Sequence, residues 1–193
     1  MKGKKEEIFQ LALPAAVDNI LHALVGFVDT WMISKIGLIA VTAVGMANNL
    51  MMVYLAVFTA LGTGTSSLIA RSIGAGKKEK TKEFFIQSTV LAILSGAVFG
   101  IATLLLGGKV LEIMGAEGEV LREGKLFLYV VGSASVFISL LTSLAAVIRA
   151  SRDIKSLMIV NTFVNIFNVG IDYILIFGWG IIPPLGVLGT AIG

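Results

Sequence analysis

The stretch NTFVNIFNVGIDYILIF, residues 161–177, is apolar enough to sit in a bilayer, yet it carries Asn161, Asn165, Asn168 and Asp172. Their spacings of four, three and four residues put all four side chains on one face of a helix. An ionised Asp at mid-membrane costs about 2.5–3.5 kcal/mol on insertion scales. A helix keeps such a stripe only where the stripe meets protein, water or an ion. What this face meets is therefore the question to put to the rest of the chain.

The surroundings make a membrane the expected solvent. The 193 residues are 56% hydrophobic and 14% charged, with a mean hydropathy of +0.95. Soluble domains carry about 25% charged residues. Here the charges also fall in blocks between long apolar runs, the pattern of an all-α polytopic membrane protein. Zero Cys excludes disulfides, thiol catalysis and Cys-ligated zinc. The basic balance, pI near 9.2, fits topology charges, so no nucleic-acid partner is expected. The first apolar run is too long for a cleavable signal and lacks a small-residue cleavage site. No P-loop, zinc motif or nucleophile with its base is present, so neither enzyme chemistry nor a cofactor is expected.

Five spans are predicted at about 8–33, 38–70, 84–106, 126–148 and 156–177. A sixth apolar run, 185–193, stops after nine residues, too short to cross a bilayer. Such an ending predicts a fragment, a truncated reading frame or a half-size protein that pairs. Gly62, Gly64 and Ser66, in the small-residue end of the second span, are assigned to close helix packing, while Asn48 and Asn49 either line a cavity or hydrogen-bond between helices, with packing preferred. Eleven Lys/Arg lie in the leader and in the loops after the second and fourth spans, against four in the opposite loops. The positive-inside rule then places the N-terminus in the cytoplasm of a multi-pass protein of the cell membrane. Trp31 and Trp179 both fall at the outer interface, where Trp is favoured.

Asp29 lies four residues before the outer end of the first span and Asp172 five before that of the fifth. Thr190 falls in the same layer, and Asn168 is one turn deeper. Three helices can thus direct oxygen atoms at one small volume. Two carboxylates close together in low dielectric do not both stay ionised without a counter-charge. Either one holds a proton or a cation sits between them. Hard oxygens suit Na⁺, and the same group can exchange protons. The alternative is a hydrogen-bonded carboxyl pair that only fastens the first span to the fifth. Asp18, His22, Val25 and Asp29 share a second stripe. Pro14, one turn before Asp18, removes a backbone hydrogen bond and marks a hinge or a static kink. Asn161 and Asn165 continue the fifth-span stripe inward, for packing or a water path. The lone His excludes a His-cluster metal site.

In order and spacing, the segments VDTWMISKIG, AVTAVGMANN, ARSIGAGKKEK, VLEIMGAEGEVL and IRASRDIKS…NIFNVGIDYILIFG, then PPLGVLGTAIG, resemble the N-terminal lobe of a MATE (multidrug and toxic compound extrusion) transporter. The resemblance implies a six-helix lobe of a twelve-helix fold, here five spans and the start of the sixth. It also implies a cation-coupled antiporter, driven by H⁺ or Na⁺, that exports organic, often cationic compounds. In prokaryotic members of the DNA-damage-inducible type, the coupling residues fall on Asp29, Asn168, Asp172 and Thr190, and the bending proline on Pro14. A supporting tyrosine of that family falls on Phe127, with Tyr129 nearby, and the RASRDIKS loop lacks the family's Gly and Pro. The implied partners are membrane lipid, a small organic substrate and a missing C-terminal lobe or second chain. Two rival readings are a lipid-linked saccharide flippase of the same superfamily and a truncated, non-transporting fragment or scaffold. The absence of Lys and Arg inside the spans argues against the flippase.

Overall fold

The structure is a computed structural model describing residues 2–151, 154–180 and 182–193, with side chains from Ala16 onward except those of Asp18 and Ile154. Among the described residues there are seven helices. They are α1 (Lys2–Ile36), α2 (Leu38–Gly74), α3 (Lys78–Ile113), α4 (Gly118–Ser133), α5 (Ser135–Ala150), α6 (Ile154–Phe177) and α7 (Val187–Ile192). Helices dominate because hydrocarbon offers no partner for an open backbone N–H or C=O.

By length and apolarity, α2, α3 and the stretch Lys155–Phe177 of α6 are each able to cross a membrane. α4 and α5 add a fourth span only if taken together, since they meet at a 52° bend. The bend follows Gly132 and Ser133, and the Ser133 hydroxyl donates to the Val130 carbonyl at 2.7 Å. A Gly/Ser pair with such a back-bond is a recognised cause of a sharp helix bend. α1 to α3 also continue beyond their apolar runs into charged flanks, because Lys and Glu are good helix formers once the helix emerges into water.

The bundle packs in two ways. α2, α3, α4 and α5 press together through small residues. A Cβ added at Gly96 on α3 would stand 2.6 Å from the Val136 Cα of α5, so only glycine fits there. Ser88 and Ser143 share a 2.8 Å hydrogen bond between α3 and α5, and Ser95 and Ser139 one of 3.2 Å. Tyr54 of α2 and Thr103 of α3 share another at 2.9 Å. α1 instead lies mainly along α6, with α7 set against α4 and α6.

Gly62 does pack closely, at 3.1 Å from the Ala146 Cβ if a Cβ is added. Gly64 does not, since nothing lies within 4 Å of it, and Ser66 bonds back to the Thr63 carbonyl of its own helix. Asn48 and Asn49 are exposed rather than packed. The close-packing surface lies instead on the glycines of α3.

Candidate functional site

Asp29 reaches the site from α1, and Asp172 and Asn168 from successive turns of α6. The Asp172 side chain is 5% exposed and Asp29 is half-buried. The Oδ1 atom of each carboxyl group is shielded from solvent and has no hydrogen-bond partner among the described residues. The two groups are near enough for the charge of one to act on the other. A buried acceptor left unmatched costs about 1–3 kcal/mol, and more if charged.

The third side is α7, and its placement depends on the segment before it. Gly178 and Gly180 take left-handed φ values of 80° and 60° after α6. The chain then turns back, and the Leu185 amide donates to the Leu175 carbonyl at 2.9 Å. Gly189 lets α7 rest directly on the α6 backbone, because a Cβ there would lie 2.7 Å from Leu175 C and O. This brings Gly193 against Asp172, where the Asn168 side-chain amide donates to the Gly193 carbonyl at 2.7 Å. The Asp172 Oδ1 atom lies so close to Gly193 that a Cβ at that position would overlap it. Thr190 is half-buried on the same short helix, but its hydroxyl donates to the Val187 carbonyl at 2.7 Å. Only the lone pairs of that oxygen remain for a ligand.

The structure therefore brings Asp29 near Asp172 and sets Asn168 one turn away on α6, with Thr190 on α7, the helix packed against α6. Sequence reasoning missed the Gly193 carbonyl and the seat at Gly189. The signal for both was the glycine repeat in GVLGTAIG, which marks close helix approach.

The other expected residues are placed differently. The backbone of α1 is helical through Pro14 and Asp18, whose side chains lie outside those described. His22 is exposed, and both it and Asn161 engage neighbouring groups. Asn165 faces a groove of about 230 Å³ between α1 and α6, and its Nδ2 atom is buried without a partner among the described residues. Phe127 is buried in the core, and the Tyr129 hydroxyl lies beside Gly108 of α3 rather than at the carboxylates.

The side-chain donor set is two carboxylates, an amide and a hydroxyl, all hard oxygen donors of the kind that suit a small hard cation. Among the described residues no cluster of three or more His, Cys, Asp or Glu side chains forms. An arrangement of this composition is able to take either a proton, shared between the carboxyl groups, or a monovalent ion.

A bundle of apolar helices enclosing unpaired carboxylates defines an integral membrane protein with an internal polar site. Residues 14–174 match the MatE family model, and the chain belongs to that family. It is similar to the probable multidrug resistance protein NorM of Thermotoga maritima, at 32% identity over 97% of this chain and 40% of that protein. It also resembles a solved structure described as the outward-facing conformation of a multidrug resistance MATE family transporter of the MOP superfamily. That match has a TM-score of 0.88 and 27% identity, covering 95% of this chain and 40% of the other. The inward-facing conformation of such a transporter gives a TM-score of 0.80 and 28% identity over 87% of this chain and 37% of the other. The chain thus spans about 40% of the length of the relatives it matches, corresponding to their N-terminal lobe.

Proposed function

We propose that this chain forms the coupling lobe of a multidrug-type antiporter, in which a cation taken up at Asp29 and Asp172 drives export of an organic, cationic or amphipathic compound. The observation that carries this reading is, on each of α1 and α6, a buried carboxyl oxygen without a partner among the described residues, in groups near enough for their charges to interact. On the Asp172 side, that acceptor lies beside Gly193, which Asn168 holds by a hydrogen bond. Loading a proton or Na⁺ there removes a repulsion between α1 and α6, and unloading restores it. Such a ligand biases the lobe only through its different affinity for the two arrangements. The N-terminus faces the cytoplasm of a cell membrane, by the distribution of Lys and Arg. Alternating access then needs a second lobe, or a second chain, moving against this one.

Asp29→Asn or Asp172→Asn in a protein carrying both lobes abolishes coupled efflux, and normal drug resistance in cells with either change would sink the proposal. Calorimetry on purified protein separates the ions. Heat release on adding Na⁺ at neutral pH, lost in Asp29→Asn, identifies Na⁺. A pH-dependent change without any Na⁺ effect identifies protons.

A further inference from the structure

At the opposite end of the bundle from α7, the helices α2, α3 and α5 diverge around a groove of about 480 Å³. Ile69 and Ile73 of α2, Phe85 of α3 and Val147 of α5 form an apolar floor. Lys77 and Lys78 at the α2–α3 turn, and Lys82 one turn into α3, stand around the same groove. All three lysines are exposed. The ion pairs among the described residues, Arg122–Glu123 and Lys125–Glu112, include none of them.

Two further features sharpen the chemistry. The polar side chains of the lining are already bonded. Thr81 is held by Ser72 at 2.8 Å and by the Lys77 carbonyl, and Ser151 bonds the Ile148 carbonyl. α3 also begins at Lys78, so the positive end of its dipole adds to the three ammonium groups. Glu79 and Glu83 sit in the same turns, and Glu83 is engaged by Gln87 at 3.2 Å. The rim therefore keeps an excess of positive charge above an oily floor, at the level where a helix leaves the hydrocarbon. A water-soluble anion would satisfy the rim and leave the floor uncovered. A neutral lipid would cover the floor and leave the rim uncompensated.

We propose that this groove binds an anionic phospholipid of the surrounding leaflet. The headgroup phosphate sits among Lys77, Lys78 and Lys82, and one acyl chain lies along Ile69, Ile73, Phe85 and Val147. Basic recesses between transmembrane helices are a general form of lipid headgroup site. The proposal involves none of the residues of the carboxylate pair and stands whether or not that pair binds a cation.

The test measures lipid retained by the purified chain in mixed micelles, by native mass spectrometry, with phosphatidylglycerol or phosphatidylcholine. Wild type retains phosphatidylglycerol preferentially. Each lysine near the surface contributes about fivefold, so Lys77→Gln, Lys78→Gln and Lys82→Gln together reduce that preference on the order of a hundredfold. Lys109→Gln, at the other end, leaves it unchanged. Circular dichroism checks that the exposed substitutions keep the helical fold. Val147→Trp fills the floor and weakens retention of phosphatidylglycerol. Equal retention of the two lipids by wild type, an undiminished preference in the triple variant, or an equal loss in Lys109→Gln would overturn the proposal. So would binding of glycerol phosphate as tight as that of the whole lipid, which would mark a site for a soluble anion.

Discussion

Replacing Gly189 with Ala asks whether the seat of α7 sets the geometry around Asp172. The added Cβ would stand 2.7 Å from Leu175 C and O and 2.9 Å from Ile176 N. These are backbone atoms, so no rotamer change relieves the overlap. Ordinary contact lies at 3.4–4 Å, and α7 must therefore back away from α6 by roughly 0.7–1.3 Å. The Asn168–Gly193 hydrogen bond, 2.7 Å long, stretches to about 3.5 Å or more and is lost. Overpacking costs about 1–3 kcal/mol, and the lost hydrogen bond about 0.5–1.5 kcal/mol. If about 2 kcal/mol of this reports on the cation-loaded arrangement, affinity for the coupling ion falls roughly 30-fold. Thermal unfolding in detergent, with and without Na⁺ and across pH, reads both effects. Gly64→Ala is the comparison, because nothing lies within 4 Å of Gly64. Its stability should equal or exceed wild type, since Ala favours a helix over Gly by about 1 kcal/mol. Gly189→Ala as stable as Gly64→Ala would refute the packing argument. Lowered stability with a full response to the ion would separate the seat of α7 from the site.

Other expectations are as direct. Ser88 and Ser143 share a buried 2.8 Å hydrogen bond between α3 and α5. A double-mutant cycle to Ala should give a coupling of about 0.6 kcal/mol, with an upper bound near 1.7, and additive effects would show that the bond contributes nothing. The chain has no Cys, so single cysteines report topology cleanly. In right-side-out vesicles an impermeant maleimide should label Lys109→Cys at once and Lys80→Cys only after permeabilisation. The reverse pattern would invert the proposed orientation.

The fold was legible because a long uncharged run has few physical solutions. Hydrocarbon demands internally satisfied backbone groups, and a helix supplies them without reference to neighbours. What depends on neighbours was less visible. The bend at Ala134 needs both the Gly132–Ser133 pair and the surface of α3 that the bent helix follows. Gly96 and Gly100 form a small-xxx-small pair inside an apolar run, a signal for close approach that the sequence reading passed over in favour of Gly62 and Gly64. Asn48 and Asn49 look like packing residues by composition, but their exposure depends on which face of α2 meets α3 and α5. At the site, depth and periodicity in the sequence group Asp29, Asn168, Asp172 and Thr190. Periodicity fixes the side of a helix, however, and not the hydrogen bond its side chain makes. The Thr190 hydroxyl turned to its own helix and the Gly193 carbonyl turned to Asn168 are both contacts of that kind.

The two styles of packing bear on where charge is placed. α3 and α5 are joined by glycine contacts and serine hydrogen bonds, so separating them uncovers polar groups that have no other protein partner across the interface. α1 and α6 meet along a seam that includes an apolar groove and an unpartnered Asn165 amide. Asp29 and Asp172, the two carboxylates with described side chains that lie inside the apolar runs, belong to this second pair of helices. A change of charge moves structure only where the opposing packing energy is comparable with the electrostatic energy. Two like charges act on each other with several kcal/mol at short range in a medium of intermediate dielectric. That is comparable with the packing of a seam where Gly26 and Gly170 have nothing within 4 Å, whereas between α3 and α5 the same force would meet the backbone contact at Gly96. Under the proposed coupling, the carboxylates occupy the part of the lobe where loading would meet the least opposing backbone contact, with the glycine-packed helices as the frame.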